Sequence, residues 1–510
     1  MLTNQDLEQI AAKGISEGEI LTQIDNLKKG FPFVRLDCAA TVGHGITTLS
    51  EDKLQYYVGK YEQQMPELSV MKFVPASGAA SRMFKDLNVF FKECKEHKGK
   101  AEPSASVVKT MENIGRFAFH DKLQQLMAED GKMLDDLALA KDYKTVVDYI
   151  LNSKGLNYGH LPKAMLMFHL YGNVPRSAFS EHLVEGAHYA KNAKNEVNLH
   201  FTISPEHRKY FNQKLKYVVP QFEEMFGVKY NIKFSEQMSK TDMVAIDMDG
   251  NLVRNADGSL LFRPGGHGAL IENLNQIDAD IVFIKNIDNV TVDKFKPVTY
   301  TYKKALAGYL LEMQEITFEC MRLLENLSVS EAELAQIEGY AMRVLNINVP
   351  LGYFSKSHRQ KVAYWQKKLN RPIRVCGMVK NEGEPGGGPY WVFDKNGDKN
   401  LQIVESSQID FSNKFQVAEV QKSSHFNPVD LVCGLKNFRG NKFNLKNYVN
   451  RNTGFISQKN QNGIDMKIQE LPGLWNGAMA DWISAFVEVP VSTFTPVKTL
   501  NDLLRPEHIE

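Results

Sequence analysis

A chain of 510 residues, 43% apolar and 24% charged, has ordinary globular composition and enough apolar text for a sizeable core, which excludes a disordered chain. Its 61 basic and 60 acidic side chains leave a net charge of +1, so no global field attracts a polyanion or an acidic membrane, and bulk nucleic-acid binding is disfavoured. At about 150 residues per domain the length suits roughly three units, or one large α/β domain with appendages. No apolar stretch of about 18 residues spans a bilayer, and Met1-Leu2-Thr3-Asn4-Gln5-Asp6 lacks the layout of a signal peptide, so a cytoplasmic protein is expected. The five cysteines, Cys38, Cys94, Cys320, Cys376 and Cys433, are odd in number and form no CxxC pair; reduced packing residues are expected rather than disulfides or a zinc site.

In chain order, residues 1–65 read as an N-terminal helical cap, with Leu7, Ile10 and Ala11 at helical spacing before Gly14. A core of alternating strands and helices follows over 66–370. Its strand text is Leu68 to Val74, Val197 to Ile203, Tyr230 to Phe234, Met243 to Ile246 and Asp280 to Ile284, and the alternation predicts a mixed, mainly parallel sheet covered by helices. Leu306, Tyr309, Leu310, Met313, Ile316, Cys320 and Leu324 recur at spacings of three and four and predict a helix over 303–326. Ser330 with Glu333 predicts a capping box that opens the next one. Residues 371–436 change to strands and turns and read as a β-rich insertion or subdomain, while 437–510 return to the core with a lysine-bearing C-terminal segment. No internal repeat is visible, and no protein partner is implied.

Three places carry candidate chemistry. Phe73-Val74-Pro75-Ala76-Ser77-Gly78-Ala79-Ala80-Ser81-Arg82 follows predicted strand text and precedes a helix. Its small residues allow backbone N–H groups to close on a phosphate, which Arg82 would neutralise; an ordinary turn of small residues fits the same text. Pro162-Lys163 aims a point charge from a restricted backbone. Gly266-His267-Gly268, about twenty residues before Asp288, offers a flat main chain for a planar base and then a carboxylate ending a buried strand, suited to Mg²⁺ and a phosphate. A glycine-rich turn and a helix-capping aspartate are the structural alternatives. Met243-Val244-Ala245-Ile246-Asp247-Met248-Asp249-Gly250-Asn251 has the apolar run and DxDG of a haloacid-dehalogenase-type phosphatase nucleophile. Asn251 replaces the threonine of that motif, and two hairpin turns at Asp249-Gly250 and Asp257-Gly258 explain the text better. Asn437, Asn476 and Asp481 are assigned surface or turn roles.

Taken in order, these pieces resemble the UDP-sugar pyrophosphorylase group of nucleotidyltransferases, which comprises UTP–glucose-1-phosphate and UDP-N-acetylhexosamine pyrophosphorylases. The residues that carry the resemblance are the loop at 76–82, Pro162-Lys163, Phe234-Ser235-Glu236-Gln237, Gly266-His267-Gly268, Phe283-Ile284-Lys285-Asn286-Ile287-Asp288-Asn289 and Phe494-Thr495-Pro496-Val497-Lys498-Thr499. It runs by motif from about residue 70 to the C-terminus. A domain-of-unknown-function family within that group is the expected home of the whole chain.

The resemblance implies a GT-A-like fold and a Mg²⁺-dependent reaction in which a sugar 1-phosphate or similar phosphate monoester meets a nucleoside triphosphate, UTP, and pyrophosphate leaves. It assigns catalytic roles to Arg82, Lys163 and Lys498, nucleotide contacts to Ser77, Gly78, Ala79, Gln237, Gly266, His267 and Gly268, and the metal to Asp288. A GT-A-type glycosyltransferase using a nucleotide sugar, or a non-catalytic nucleotide-binding protein, are the alternatives, and pyrophosphate release separates the first from both. The family's usual run of glycines is absent from Ser77-Gly78-Ala79-Ala80-Ser81. Lys498 stands twelve positions from the end, so the family's C-terminal β-helix domain is expected to be missing.

Overall fold

The computed structural model describes residues 2–510 apart from 79, 98–100, 326–328, 385, 395–396 and 462. The chain is mixed α/β and divides into two compact units, each assembled from three stretches. One comprises Met1–Gln64, Gln237–Ile284 and Lys304–Pro490; the other comprises Met65–Glu236, Lys285–Lys303 and Val491–Glu510.

In the second unit three parallel strands run in the order Val70–Pro75, Glu196–Ile203, Lys229–Glu236, with Phe73 opposite His200 and His200 opposite Lys233. The middle strand is buried over almost its whole length, as expected of a parallel strand covered on both faces. Helix Ala178–Tyr189 begins at Ser177, whose hydroxyl accepts the Ser180 N–H. Helix Arg208–Phe226 ends at Gly227, which takes the left-handed conformation at φ 59° that stops a helix without a side-chain clash. Five helices between Lys85 and Leu151 bring Phe90, Met111, Leu123, Tyr149 and Ile150 into one core with Leu199 and Phe201 of the middle strand and Val497 and Leu503 of the C-terminal stretch. At about 25 cal/mol per Å², each such side chain contributes about 1.5–3 kcal/mol when fully buried.

The first unit holds a mixed sheet with Thr41–Val42, Gly45–Thr47, Ile483–Glu488, Ile373–Lys380, Asp430–Gly434 and Ile281–Lys285 side by side. Its first four strands pair in parallel, and Asp430–Gly434 runs antiparallel to Ile373–Lys380. The strands expected over 371–436 therefore include two that lie within this sheet. Gly388–Phe393 and Lys399–Val404 form a hairpin on which Leu36–Ala39 adds a third strand.

Met243–Asp247 belongs to a separate antiparallel sheet with Phe262–Arg263, Ile464–Glu470 and Phe455–Gln461. Two turns follow it, bridged at Ile246–Leu252 and Arg254–Leu260, so the DxDG text is a hairpin. Helices Asn4–Ala12 and Glu17–Lys29 open with capping boxes at Thr3–Asp6 and Ser16–Glu19. They bury Ile10, Ile20 and Leu27 against Val244 and Ile246 of that sheet. The periodic residues Leu306 to Leu324 lie in helix Lys296–Glu325, residue 326 of the predicted span is outside the described residues, and Ser330 and Glu333 form the predicted box. All five cysteines are free, and among the described residues no helix is long and apolar enough to cross a membrane.

Candidate functional site

In the second unit Asp288 follows the buried strand Ile281–Lys285 and is itself only 7% exposed. Two lysines converge on one of its oxygens: Lys163 Nζ lies 2.9 Å from Oδ2 and Lys498 Nζ 3.1 Å from the same atom. Lys163 Nζ also donates to the Val497 carbonyl at 2.9 Å, and the Val497 N–H donates to the Asp288 carbonyl at 3.0 Å. Burial alone would raise the Asp288 pKa, but the neighbouring ammonium groups of Lys498 and Lys163 outweigh it and hold the carboxyl below its ordinary range.

The first turn of the small-residue loop meets this group through its backbone. The Lys163 N–H reaches the Gly78 carbonyl at 3.4 Å, and the Ser204 hydroxyl donates to the Ser77 carbonyl at 3.2 Å. Pro162 precedes a short 3-10 turn, Lys163–Met165, that directs the lysine. Arg82 ends another such turn, is exposed, and makes no hydrogen bond or ion pair among the described residues. Ala79 lies outside the described residues. The structure thus unites Lys163, Asp288 and Lys498, with the Gly78 backbone beside them, and leaves Arg82 apart from their contacts.

Beneath Asp288 is a charged cluster not singled out in the sequence. Glu185 accepts from Lys72 at 2.8 Å and from Lys285 at 2.7 Å, with all three side chains at most 2% exposed. His182 Nε2 lies 3.2 Å from the Ile287 carbonyl, one residue before Asp288. Burial alone would raise the Glu185 pKa; Lys285 and Lys72 hold it well below the usual range instead. Burial pushes the Lys72 pKa down to about 7, with Glu185 opposing the shift. A signal was present in the text: Glu181 and Glu185 stand four residues apart on helix Ala178–Tyr189, so they share one face.

In the first unit Gly266 has φ 77° and opens the 3-10 turn His267–Leu270. The His267 ring stacks on Trp475 with centroids 4.3 Å apart and planes at 19°. Its Nδ1 accepts the Leu474 N–H at 3.1 Å, and burial lowers its pKa, so the ring is neutral at pH 7 with its proton on Nε2. Trp475 is fixed in turn by the buried Arg374, which donates to its carbonyl at 2.5 Å. A Cβ on Gly268 would lie 2.1 Å from the Pro472 carbonyl oxygen, so glycine is required there by the close passage of Leu471-Pro472. This packing requirement is a role for Gly268 in its own right. Asn476, assigned a surface or turn role, precedes the 3-10 turn Gly477–Met479 and is 3% exposed: its amide donates to Glu405 at 2.6 Å, and its Oδ1 is buried without a hydrogen bond among the described residues. Gln237 follows strand Lys229–Glu236, and its Nε2 is likewise buried without a hydrogen bond among the described residues.

Asp288 is a single carboxylate, and no group of three or more His, Cys, Asp or Glu able to hold a metal occurs among the described residues. A single carboxylate is compatible with Mg²⁺, which is commonly held by one or two protein carboxylates with substrate phosphates completing its shell; the two lysines that now meet Oδ2 would have to turn toward those phosphates.

A family model described as Domain of unknown function (DUF4301) matches residues 3–509. No curated protein matches the sequence. Among solved structures, a variant of UDP-glucose pyrophosphorylase from Leishmania major is similar at 13% identity over 99% of this chain and 79% of that one, with a TM-score of 0.46. A second variant of the same enzyme, in complex with UDP-glucose, gives 13%, 99%, 79% and 0.45. A UDP-glucose phosphorylase from Trypanosoma brucei gives 14%, 98%, 77% and 0.46.

Proposed function

We propose that this chain, which belongs to the DUF4301 family, is a GT-A-like nucleotidyltransferase that joins UTP to a sugar 1-phosphate or similar phosphate monoester and releases pyrophosphate. The observation that carries the reading is the buried Asp288 carboxylate flanked by the ammonium groups of Lys163 and Lys498. An oxygen of the incoming phosphate attacks the α-phosphorus of the triphosphate, the bond from that phosphorus to the bridging oxygen breaks, and pyrophosphate departs. Such transfer depends on positioning and on neutralising charge.

Lys498, more than half exposed at its side chain, steers the incoming phosphate. Lys163, fixed by Val497 and Asp288, and Arg82 draw negative charge toward the leaving pyrophosphate. Ser77 and Gly78, whose carbonyls are held by Ser204 and Lys163, border the triphosphate with their main chain. Asp288 would hold Mg²⁺, whose chemistry when bound is to neutralise charge across the nucleotide phosphates.

The test is pyrophosphate release from UTP and a panel of sugar 1-phosphates with Mg²⁺. Release that requires the sugar phosphate supports the reading, and no release with any member of the panel sinks it. Asp288→Asn is expected to remove Mg²⁺-dependent stabilisation of the protein by UTP, read as a melting-temperature shift. An unchanged dependence on Mg²⁺ in that variant would contradict the metal role given to Asp288.

A further inference from the structure

A cavity of about 560 Å³ in the second unit is bordered by Lys109, Arg116 and Arg505 together with Thr499, Asn501 and Asp502. Neither Asp288, Lys163 nor Lys498 lines it, although Thr499 directly follows Lys498. Three cationic side chains face one carboxylate, and that carboxylate is already engaged. Asp502 Oδ2 accepts the N–H groups of Lys498 at 2.8 Å and Thr499 at 2.7 Å, while Oδ1 pairs with Arg505 at 2.8 Å. Lys109 has no carboxylate partner among the described residues, and Arg116 bonds only the neutral Asn113 side chain, at 3.2 Å.

The wall opposite is rigid. Asn501 donates to the Ser106 carbonyl at 3.0 Å and accepts from the Thr110 hydroxyl at 3.0 Å. Ala105 and Ser106, the first residues of helix Ala105–Glu112, border the cavity as well, so the positive end of that helix adds to the cationic side chains. A concave space of this size, with uncompensated guanidinium and ammonium groups on a fixed wall, matches a small phosphorylated molecule.

We infer that this cavity is a second anion site, which takes the phosphoryl group of a small phosphate monoester or diphosphate. It goes beyond the transferase reading and does not depend on it. Lys109 and Arg116 supply the charge that no carboxylate neutralises, and Arg505 divides its donors between Asp502 and the ligand.

Isothermal titration of the full chain tests this, with inorganic pyrophosphate and glucose 1-phosphate as separate probes and no Mg²⁺. Saturable binding of either probe is expected, weakened at least about tenfold in the Lys109→Gln/Arg116→Gln double variant and altered by less than about twofold in Lys122→Gln, an exposed lysine that does not line the cavity. The tighter probe identifies the ligand as a diphosphate or a monoester. Both lysine and arginine are exposed, so an unchanged far-UV circular dichroism spectrum verifies that the double variant is folded. Three results overturn the inference: no binding of either probe at about 10 mM, equal binding by the wild type and the double variant, or a loss in Lys122→Gln equal to that in the double variant.

Discussion

Replacing Lys163 and Lys498 one at a time by methionine separates two properties that the candidate site combines. Both ammonium groups touch the same oxygen of Asp288 at nearly equal distance, 2.9 and 3.1 Å, yet their side chains are 12% and 59% exposed. For Lys163 the pair is buried, and removing one partner of a buried pair costs about 3–5 kcal/mol. Because Lys498 remains as a counter-charge, the lower end, about 3 kcal/mol, is expected for Lys163→Met. Lys498 is screened by water, so Lys498→Met should cost no more than about 1 kcal/mol. Under the proposed reaction turnover behaves differently: each variant would remove a charge aimed at developing phosphate charge, and a loss of about 10²–10³ in rate is expected for both. Urea unfolding is best followed by far-UV circular dichroism, since all four tryptophans, Trp365, Trp391, Trp475 and Trp482, lie in the other unit. Equal destabilisation by the two substitutions would refute the assignment of Lys163 as the buried partner and Lys498 as the exposed one.

Glu185→Gln leaves Lys72 and Lys285 buried without a counter-ion and should destabilise the protein by about 3–5 kcal/mol in urea unfolding; a loss below about 1 kcal/mol would show that the cluster is solvated. Burial pushes the His200 pKa down to about 4, whereas the unfolded chain takes up that proton near 6.5. Its contribution is therefore fully present above pH 6.5 and is lost toward pH 4, at up to about 1.4 kcal/mol per pH unit. His200→Gln should flatten the urea midpoints over that window, and an unaltered slope would exclude His200 as a source. Gly268→Ala sets a methyl group 2.1 Å from the Pro472 carbonyl oxygen and should cost about 1–3 kcal/mol. A urea midpoint equal to that of the wild type would mean that the Leu471-Pro472 strand end yields freely.

Local features were the most legible in the sequence. The three-and-four spacing from Leu306 to Leu324 and the Ser330–Glu333 pair each encode structure within a few residues, and both are found in place. The turns at Asp249-Gly250 and Asp257-Gly258 were readable because glycine supplies the positive φ, 88° and 84°, that they need. Strand partners were not. Met243 to Ile246 reads like any apolar strand, and nothing in those residues tells that they pair antiparallel with Ile464–Glu470, more than two hundred positions away. Lys163 and Asp288 were visible through local punctuation by a proline and by a strand end, and Lys498 through the resemblance carried by its segment, but that both lysines meet one oxygen of Asp288 follows only from the fold. Trp475 illustrates the limit: an isolated tryptophan carries no mark of the histidine at 267 on which it stacks.

Each of the three stretches that make up the second unit gives one residue to the clamp: Lys163 from the first, Asp288 from the second and Lys498 from the third. The hydrogen bond from Lys163 to Val497 closes a loop of 334 positions. Closure over such a span is slow on the scale of folding, because contacts distant in sequence cost loop entropy before they return any energy. During synthesis the clamp therefore remains open until the stretch that carries Val497 and Lys498 has left the ribosome. No contiguous fragment ending before Val497 can reproduce it.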